Sequence, residues 1–549
     1  MRSKLFLLSV LAVGLLASAA GAQSYALTNA RIVTVSGATI EKGTLVIRDG
    51  VIEAVGPTVK PPGDAVVFDV SGSTVYPGFI DSLTTLGMTA SATPSVPQGR
   101  GQQAAQPSAA PTSNSNFPVG FRPEDSAESD IRAGDAQFEA NRNAGFTTAL
   151  TVGRIGIFNG RSVVIDLAGD SVSAMLLKSP FGQHVTFTTL GYGSYPNSLL
   201  GTFSSIRQMF YDTLRQQQIE DLYYKNPKGI KRPDADRSLE ALIPALDRNM
   251  PVIFNANSER EIVRALDLIK EFNLVGIIAG GTESWKVADR LKAQNVAVLL
   301  SVNLPKRTTA ASPEADPEDL ETLRLRAEAP KCAARLSAAG VKFAFQSDYG
   351  RSVTDFFANV QKMIDGGLDR DKAIRAMTLG SAEILGIADR TGSIDIGKIA
   401  NVAVVKGDLF GKDRYVSHIF VDGKIFEHKE PAKADGRDQS ETLRNTQAVS
   451  ANISGVYAVT IDIPGRPLQL TFNFTQAGTE LSGSITGPTE TTPFTGGKAG
   501  ADGFDLTATV PYGGEKIDIS VHGKVSGSTI SGTLSSAQGT VPFSGTRKP

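Results

Sequence analysis

The stretch Pro251–Val302, PVIFNANSEREIVRALDLIKEFNLVGIIAGGTESWKVADRLKAQNVAVLLSV, decides the fold. Pro251–Ala256, Leu274–Ile278 and Val296–Val302 are short apolar runs rich in Val, Ile and Leu, as buried strands are. Two helical stretches separate them. In the first, Ser258 and Glu261 have the S-x-x-E spacing of a capping box, and Ile262, Leu266 and Ile269 recur on one face. The second runs from Ser284 to Gln294. A crossover helix returns the chain to the same end of a sheet, so each strand lies parallel to the last.

The same alternation extends in both directions. Thr147–Val152 and Val163–Leu167 are apolar strands upstream. Val341–Gln346 is a strand downstream, and helical segments cover Asp371–Leu385. The number of β-α repeats between Asp130 and Gly386 predicts a closed barrel rather than an open sheet. Short strands flank it: Ala26–Val35, Gly43–Arg48 and Val51–Val55 before, Ala403–Val405 and His418–Val421 after. Asp49-Gly50 and Asp422-Gly423 are their turns. Near the C-terminus Leu468, Leu470, Phe472 and Phe474 alternate strictly, as do Ile517, Ile519 and Val521. Leu481-Ser-Gly-Ser-Ile485 recurs as Ile530-Ser-Gly-Thr-Leu534. Such glycine-punctuated hairpins predict a small antiparallel barrel or sandwich, serving as a binding module or as a stability cap.

At 549 residues the chain exceeds one core. The expected division is a signal peptide at 1–22, a composite β-sandwich from 23–76 and 387–428, a barrel at 77–386, a linker at 429–449 and the β module at 450–549. Arg2 and Lys4, the apolar run Leu5–Leu16 and the Ala20-Gly21-Ala22 cleavage pattern predict export, to the periplasm or beyond. That run is shorter than the ~20 residues of a membrane span, so no span is expected after cleavage. Residues 91–118, rich in Ala, Gln, Ser and Pro, read as a disordered insertion. The formal net charge is −1 and neither sign dominates, which argues against a nucleic-acid partner. The single cysteine, Cys332, excludes an internal disulfide.

Several segments together resemble the amidohydrolase superfamily, nearest its imidazolonepropionase-like branch. Ala26–Val33 and Val46–Gly56 are similar to its opening strands. Pro77-Gly-Phe-Ile-Asp81 is similar to the start of its first barrel strand, Gly145-Phe-Thr-Thr148 to its G-[VF]-T-T turn, and Thr391–Asn401 to its G-S-[LI]-x-x-G-K-x-A-D pattern. The resemblance implies a TIM-like (β/α)8 barrel with a composite β-sandwich made from both flanks. It also implies one or two divalent metals at the C-terminal ends of the barrel strands, activating water to hydrolyse carbon–nitrogen bonds.

The implied metal ligands are mostly replaced. The family pattern P-G-F-I-D-x-H-x-H meets Leu83 and Thr85 where histidines belong. Strand 5 offers Asn255, and strand 6 aligns Gly280. Strand 4, placed at Ser162–Leu167, has no lysine but has Asp166. Strand 8 keeps its aspartate, Asp348, the one candidate catalytic residue. Leucine cannot bind a metal, and threonine and asparagine are poor ligands beside imidazole. Of four histidines only His184 lies within the barrel segment. No metal cofactor is therefore expected, and the chain reads as a degenerate hydrolase. It would bind a small-molecule ligand or pair with a homologous active subunit, and the family's habit of associating allows an oligomer. The alternative is an active enzyme with a non-standard site around Asp348, using Asp81 and Asp166 and zinc, manganese or magnesium. On the plain reading Asp81 and Asp348 are relics hydrogen-bonded to neighbouring strands and loops.

Overall fold

The computed structural model describes residues 24–88, 120–134, 136–154, 156–190, 195–306, 318–347, 353, 355–428, 453–461, 468–478, 480–487, 491–500, 503–512, 515–526, 529–536 and 539–548. The leader, the insertion at 91–118, the linker at 429–449 and Asp348 lie outside the described residues. The described chain forms two units, 24–428 and 453–548. Among the described residues no helix is long and apolar enough to cross a membrane.

The first unit opens with β1 (Tyr25–Ile32), β2 (Ile40–Arg48), β3 (Val51–Gly56), β4 (Val66–Asp69) and β5 (Ser73–Pro77). β1 pairs antiparallel with β2 and parallel with β4 and β5. Asp49 and Gly50 both have positive φ, 53° and 78°, which matches the twist a two-residue hairpin turn requires between β2 and β3.

Ten strands follow: β6 (Phe79–Thr84), β7 (Phe146–Thr151), β8 (Phe158–Arg161), β9 (Val163–Asp166), β10 (Leu176–Lys178), β11 (Gln183–Thr186), β12 (Val252–Ala256), β13 (Gly276–Gly280), β14 (Ala297–Ser301) and β15 (Phe343–Gln346). β11 to β15 form a parallel run, as the alternation predicts. The helix Glu259–Glu271 between β12 and β13 carries the expected capping box and buries Ile262, Leu266 and Ile269. Around the ring the order is β6, β7, β9 with β8, β11, β12, β13, β14 and β15, eight positions in all.

This ring departs from a regular parallel barrel in two ways. β9 is antiparallel to β7, and β8 is antiparallel to β11. The two meet at Ser162, so residues 158–166 bridge two separate sheets. Only residues 152–157 separate β7 from β8. A parallel crossover needs about a dozen residues, so this chain can only turn back. The second departure is a seam: β15 and β6 share no strand ladder. A hydrogen bond from the Ser347 amide to Asp81 Oδ1 (3.0 Å) crosses it.

The chain returns as β16 (Val402–Lys406), β17 (Tyr415–Val421) and β18 (Lys424–Glu427). β16 pairs antiparallel with β5, which joins both flanks as expected. The result is one hydrogen-bonded eight-stranded sheet that folds over on itself, setting Tyr25 against Phe420 and Phe68 against His418. Its buried face holds Leu27, Ile32, Leu45, Ile47, Val402 and Phe420.

The second unit contains β19 (Gly455–Ile461), β20 (Leu468–Ala477), β21 (Glu480–Thr486), β22 (Thr491–Gly500), β23 (Gly503–Tyr512), β24 (Glu515–Ser526), β25 (Thr529–Ser536) and β26 (Gly539–Arg547). Each pairs with the next, and β26 closes on β19. Closure removes the exposed edges of the sheet. Phe472, Phe474, Phe494, Phe504, Phe543 and Tyr457 fill the interior. The repeated glycines have one cause. A Cβ at Gly483 would stand 1.8 Å from Asn473 O, and one at Gly532 would stand 2.1 Å from His522 O. Only glycine lets the neighbouring strand come that close.

Candidate functional site

Register fixes which side chains share the inner face of the ring. One row runs Thr186, Asn255, Ala279, Leu299, Ala344. The row below it begins His184, Ile253, Ile277. Leu83 is fully buried and packs in the same apolar cluster as Leu150, Ile253, Ala279, Leu299 and Ala344. Thr85 is buried and Asn255 partly buried.

Gly280 sits at φ 91°, where a side chain is strained. A Cβ there would meet Asn257 Oδ1 at 2.4 Å, so the histidine that the resemblance implies at position 280 would have to displace the Asn257 side chain and adopt left-handed backbone. Among the described residues no three His, Cys, Asp or Glu side chains converge as a metal would need. Of the positions where the family pattern has imidazoles, Leu83 is packed in that apolar cluster, and Thr85 and Asn255 offer only a hydroxyl and an amide. The described residues therefore do not fit a transition metal.

Asp81 lies beside this apolar cluster and is 1% exposed. Its Oδ1 accepts from the amides of Ser347 (3.0 Å) and Leu83 (3.4 Å). Its Oδ2 is buried and has no partner among the described residues. Burial pushes its pKa up to about 7, against the pull of those hydrogen bonds. The carboxyl can hold or release a proton near neutrality. Ser347 immediately precedes Asp348 in the chain.

Asp166 belongs elsewhere, which corrects the expectation that it stands with Asp81 and Asp348. Because β9 runs against β7, its last residue pairs with Thr148 near the start of β7. That is the end of the ring opposite the C-terminal ends of the parallel strands. Asp166 Oδ1 accepts from Thr148 Oγ1 and from Asn401 Nδ2, both at 2.8 Å. Asn401 Oδ1 in turn accepts from the Asp422 amide (2.8 Å), and Asn401 O from the Gly78 amide (2.8 Å). Burial raises the Asp166 pKa to about 7, opposed by Thr148 and Asn401. Asp166 is a tie between ring and flanking sheet.

Strand 4 of the ring is thus β11, not Ser162–Leu167. Its residue level with Asn255 is Thr186, whose Oγ1 bonds Asn159 Oδ1 at 2.6 Å. His184 shares the inner face with Ile253 and is 2% exposed. Its Nε2 has no partner among the described residues, and burial drives its pKa down to about 3. It is neutral at any ordinary pH. The short 152–157 connection is the signal from which this strand shift was readable. Cys332 is buried 3.4 Å from Ser284 Oγ, and burial raises its pKa, so it is no ready nucleophile.

Residues 241–426 match the model of the amidohydrolase family. That match includes positions 255, 280 and 348 but stops short of Leu83 and Thr85. Among solved structures, an amidohydrolase from Thermotoga maritima aligns at 23% identity and a TM-score of 0.60, covering 74% of this chain and 100% of that one. A putative prolidase from Bifidobacterium longum aligns at 16% identity and 0.46, covering 75% and 96%. An adenosine deaminase from Xanthomonas campestris with bound zinc aligns at 15% and 0.41, covering 77% and 97%. The first likeness bears on fold alone, and the other two are too loose to bear on chemistry. No curated protein matches the chain by sequence.

Proposed function

We propose that the chain is an exported, catalytically silent member of the amidohydrolase superfamily, a reading supported by the family match at residues 241–426. It works by binding a small-molecule ligand or by pairing with a homologous active subunit. One observation carries this reading. Leu83, where the family pattern has a histidine, is wholly buried among Leu150, Ile253, Ala279, Leu299 and Ala344. Apolar packing at that point stabilises the ring and offers no lone pair to a cation. The leader pattern at residues 1–22 supports export.

Elemental analysis of protein expressed with zinc, manganese and iron available tests the reading. The expected result is far less than one metal per chain and no hydrolysis of amides or cyclic amides above background. A stoichiometric metal that is lost in Asp348→Asn would overturn it.

A second reading has one observation in its favour. Asp81 Oδ2 is buried without a partner, and the amide of Ser347, next to Asp348, bonds the same carboxyl. Under this reading the chain is a C–N hydrolase with an oxygen-rich divalent site around Asp348. Activity must then vanish with chelator and with Asp348→Asn, and activity that survives both dismisses it.

A further inference from the structure

At the end of the ring where Asp166 lies, a cleft of about 260 Å³ opens between the helix Ala136–Asn143, the segment after β9, and β18. We propose that this cleft binds a small monocarboxylate with an apolar tail, its carboxylate held by Arg142 and its tail on Leu167, Met175 and Phe138. The proposal is independent of the reading of Leu83.

Arg142 is half-buried, and its guanidinium lies 4.3 Å from the centre of the Phe426 ring. One nitrogen donates to the Leu167 carbonyl. No carboxylate pairs with it among the described residues. Burial pulls its pKa down, with the charge of Glu139 opposing, yet arginine stays ionised. A stacked guanidinium with one nitrogen engaged keeps its other donors for a planar, two-oxygen acceptor. Desolvation without an ion-pair partner makes such an acceptor favourable.

The surroundings set the rest of the ligand. Leu167, Met175 and Phe138 are buried and give the cleft an apolar floor. Lys424 stands at the rim, its Nζ 3.5 Å from Asp170 Oδ1, and both side chains are largely exposed. Such a pair is weak, so Lys424 is free to turn toward an anion. Glu139 and Asp170 also border the cleft, which disfavours a dianion such as phosphate over a single negative charge. The volume is below the range of drug-sized pockets and suits a ligand of the size of hexanoate.

Isothermal titration of the full chain with hexanoate, hexanamide and inorganic phosphate tests this. Hexanoate should bind saturably, the neutral amide should not, and phosphate should bind more weakly. Arg142→Met should weaken hexanoate roughly tenfold or more, Arg142→Lys less, and Lys424→Met about twofold. Circular dichroism checks that each variant is folded. If Arg142→Met fails to fold, Arg142→Lys and the exposed Lys424→Met decide. Equal binding of acid and amide, phosphate binding more tightly than hexanoate, no binding of hexanoate, or unchanged affinity in the folded variants overturns the proposal.

Discussion

Replacing Asp166 by asparagine should change the pH dependence of stability in a calculable way. Asp166 is 2% exposed, and its pKa is raised from 3.8 to about 7, chiefly by burial. A folded-state value above the unfolded one means that the folded protein holds the proton more tightly. The contribution to stability is fully present below the unfolded value and is lost as pH rises through about 7. Each pH unit in that window is worth about 1.4 kcal/mol, so the whole span amounts to about 4 kcal/mol. Asparagine keeps an oxygen for Thr148 and Asn401 but never ionises. At pH 4.5 about 1 kcal/mol of that span is already lost, which offsets a cost of about 1 kcal/mol for new amide hydrogens without an acceptor, so the variant should be level with the wild type. At pH 8 it should be the more stable by about 3 kcal/mol. At about 2 °C per kcal/mol, the difference in melting temperature should swing by about 6 °C between the two pH values. Trp285 is the single tryptophan and lies in the first unit, so its fluorescence reports that unit's melting. Groups common to both proteins cancel in the difference. Melting curves that stay parallel from pH 4.5 to 8 would refute the claim that burial raises the Asp166 pKa.

Gly280→His should cost about 2–5 kcal/mol, since it forces a side chain into left-handed backbone and into Asn257, and an unchanged melting temperature would show that position 280 accepts a ligand after all. Leu83→Ala should cost about 2–4 kcal/mol by opening a cavity in the ring, measured by denaturant unfolding. His184→Leu should remove acid sensitivity. The His184 pKa is depressed from 6.5 to about 3, so its contribution is full above 6.5 and is lost as pH falls toward 3. The leucine variant should gain on the wild type by up to ~1.4 kcal/mol per pH unit across that window, and a constant difference in melting temperature between pH 7 and 4.5 would contradict the burial of the ring.

Much of the ring was legible because its parallel half obeys local rules. Apolar runs alternating with a capped amphipathic helix at Ser258 leave few other ways to bury both. The hairpin at Asp49-Gly50 and the closed module with its Gly483 and Gly532 repeats follow from backbone sterics alone. That positions 83, 85, 255 and 280 hold Leu, Thr, Asn and Gly is a fact of the sequence that needs no coordinates. The direction of β9 does not follow from hydrophobic periodicity, which marks a strand without its sense; the six-residue connection 152–157 is what forces the reversal.

By itself the sequence determined which chemical groups are present and where a regular β-α alternation must occur, since both depend on residue identity and short-range spacing. Tertiary structure alone decided which carboxyls share an environment. It set Asp81 beside Leu83 and Ser347, and moved Asp166 to the far end of the ring with Thr148 and Asn401. Each carboxyl is held near neutrality chiefly by desolvation, which the packed surroundings set and the order of residues does not.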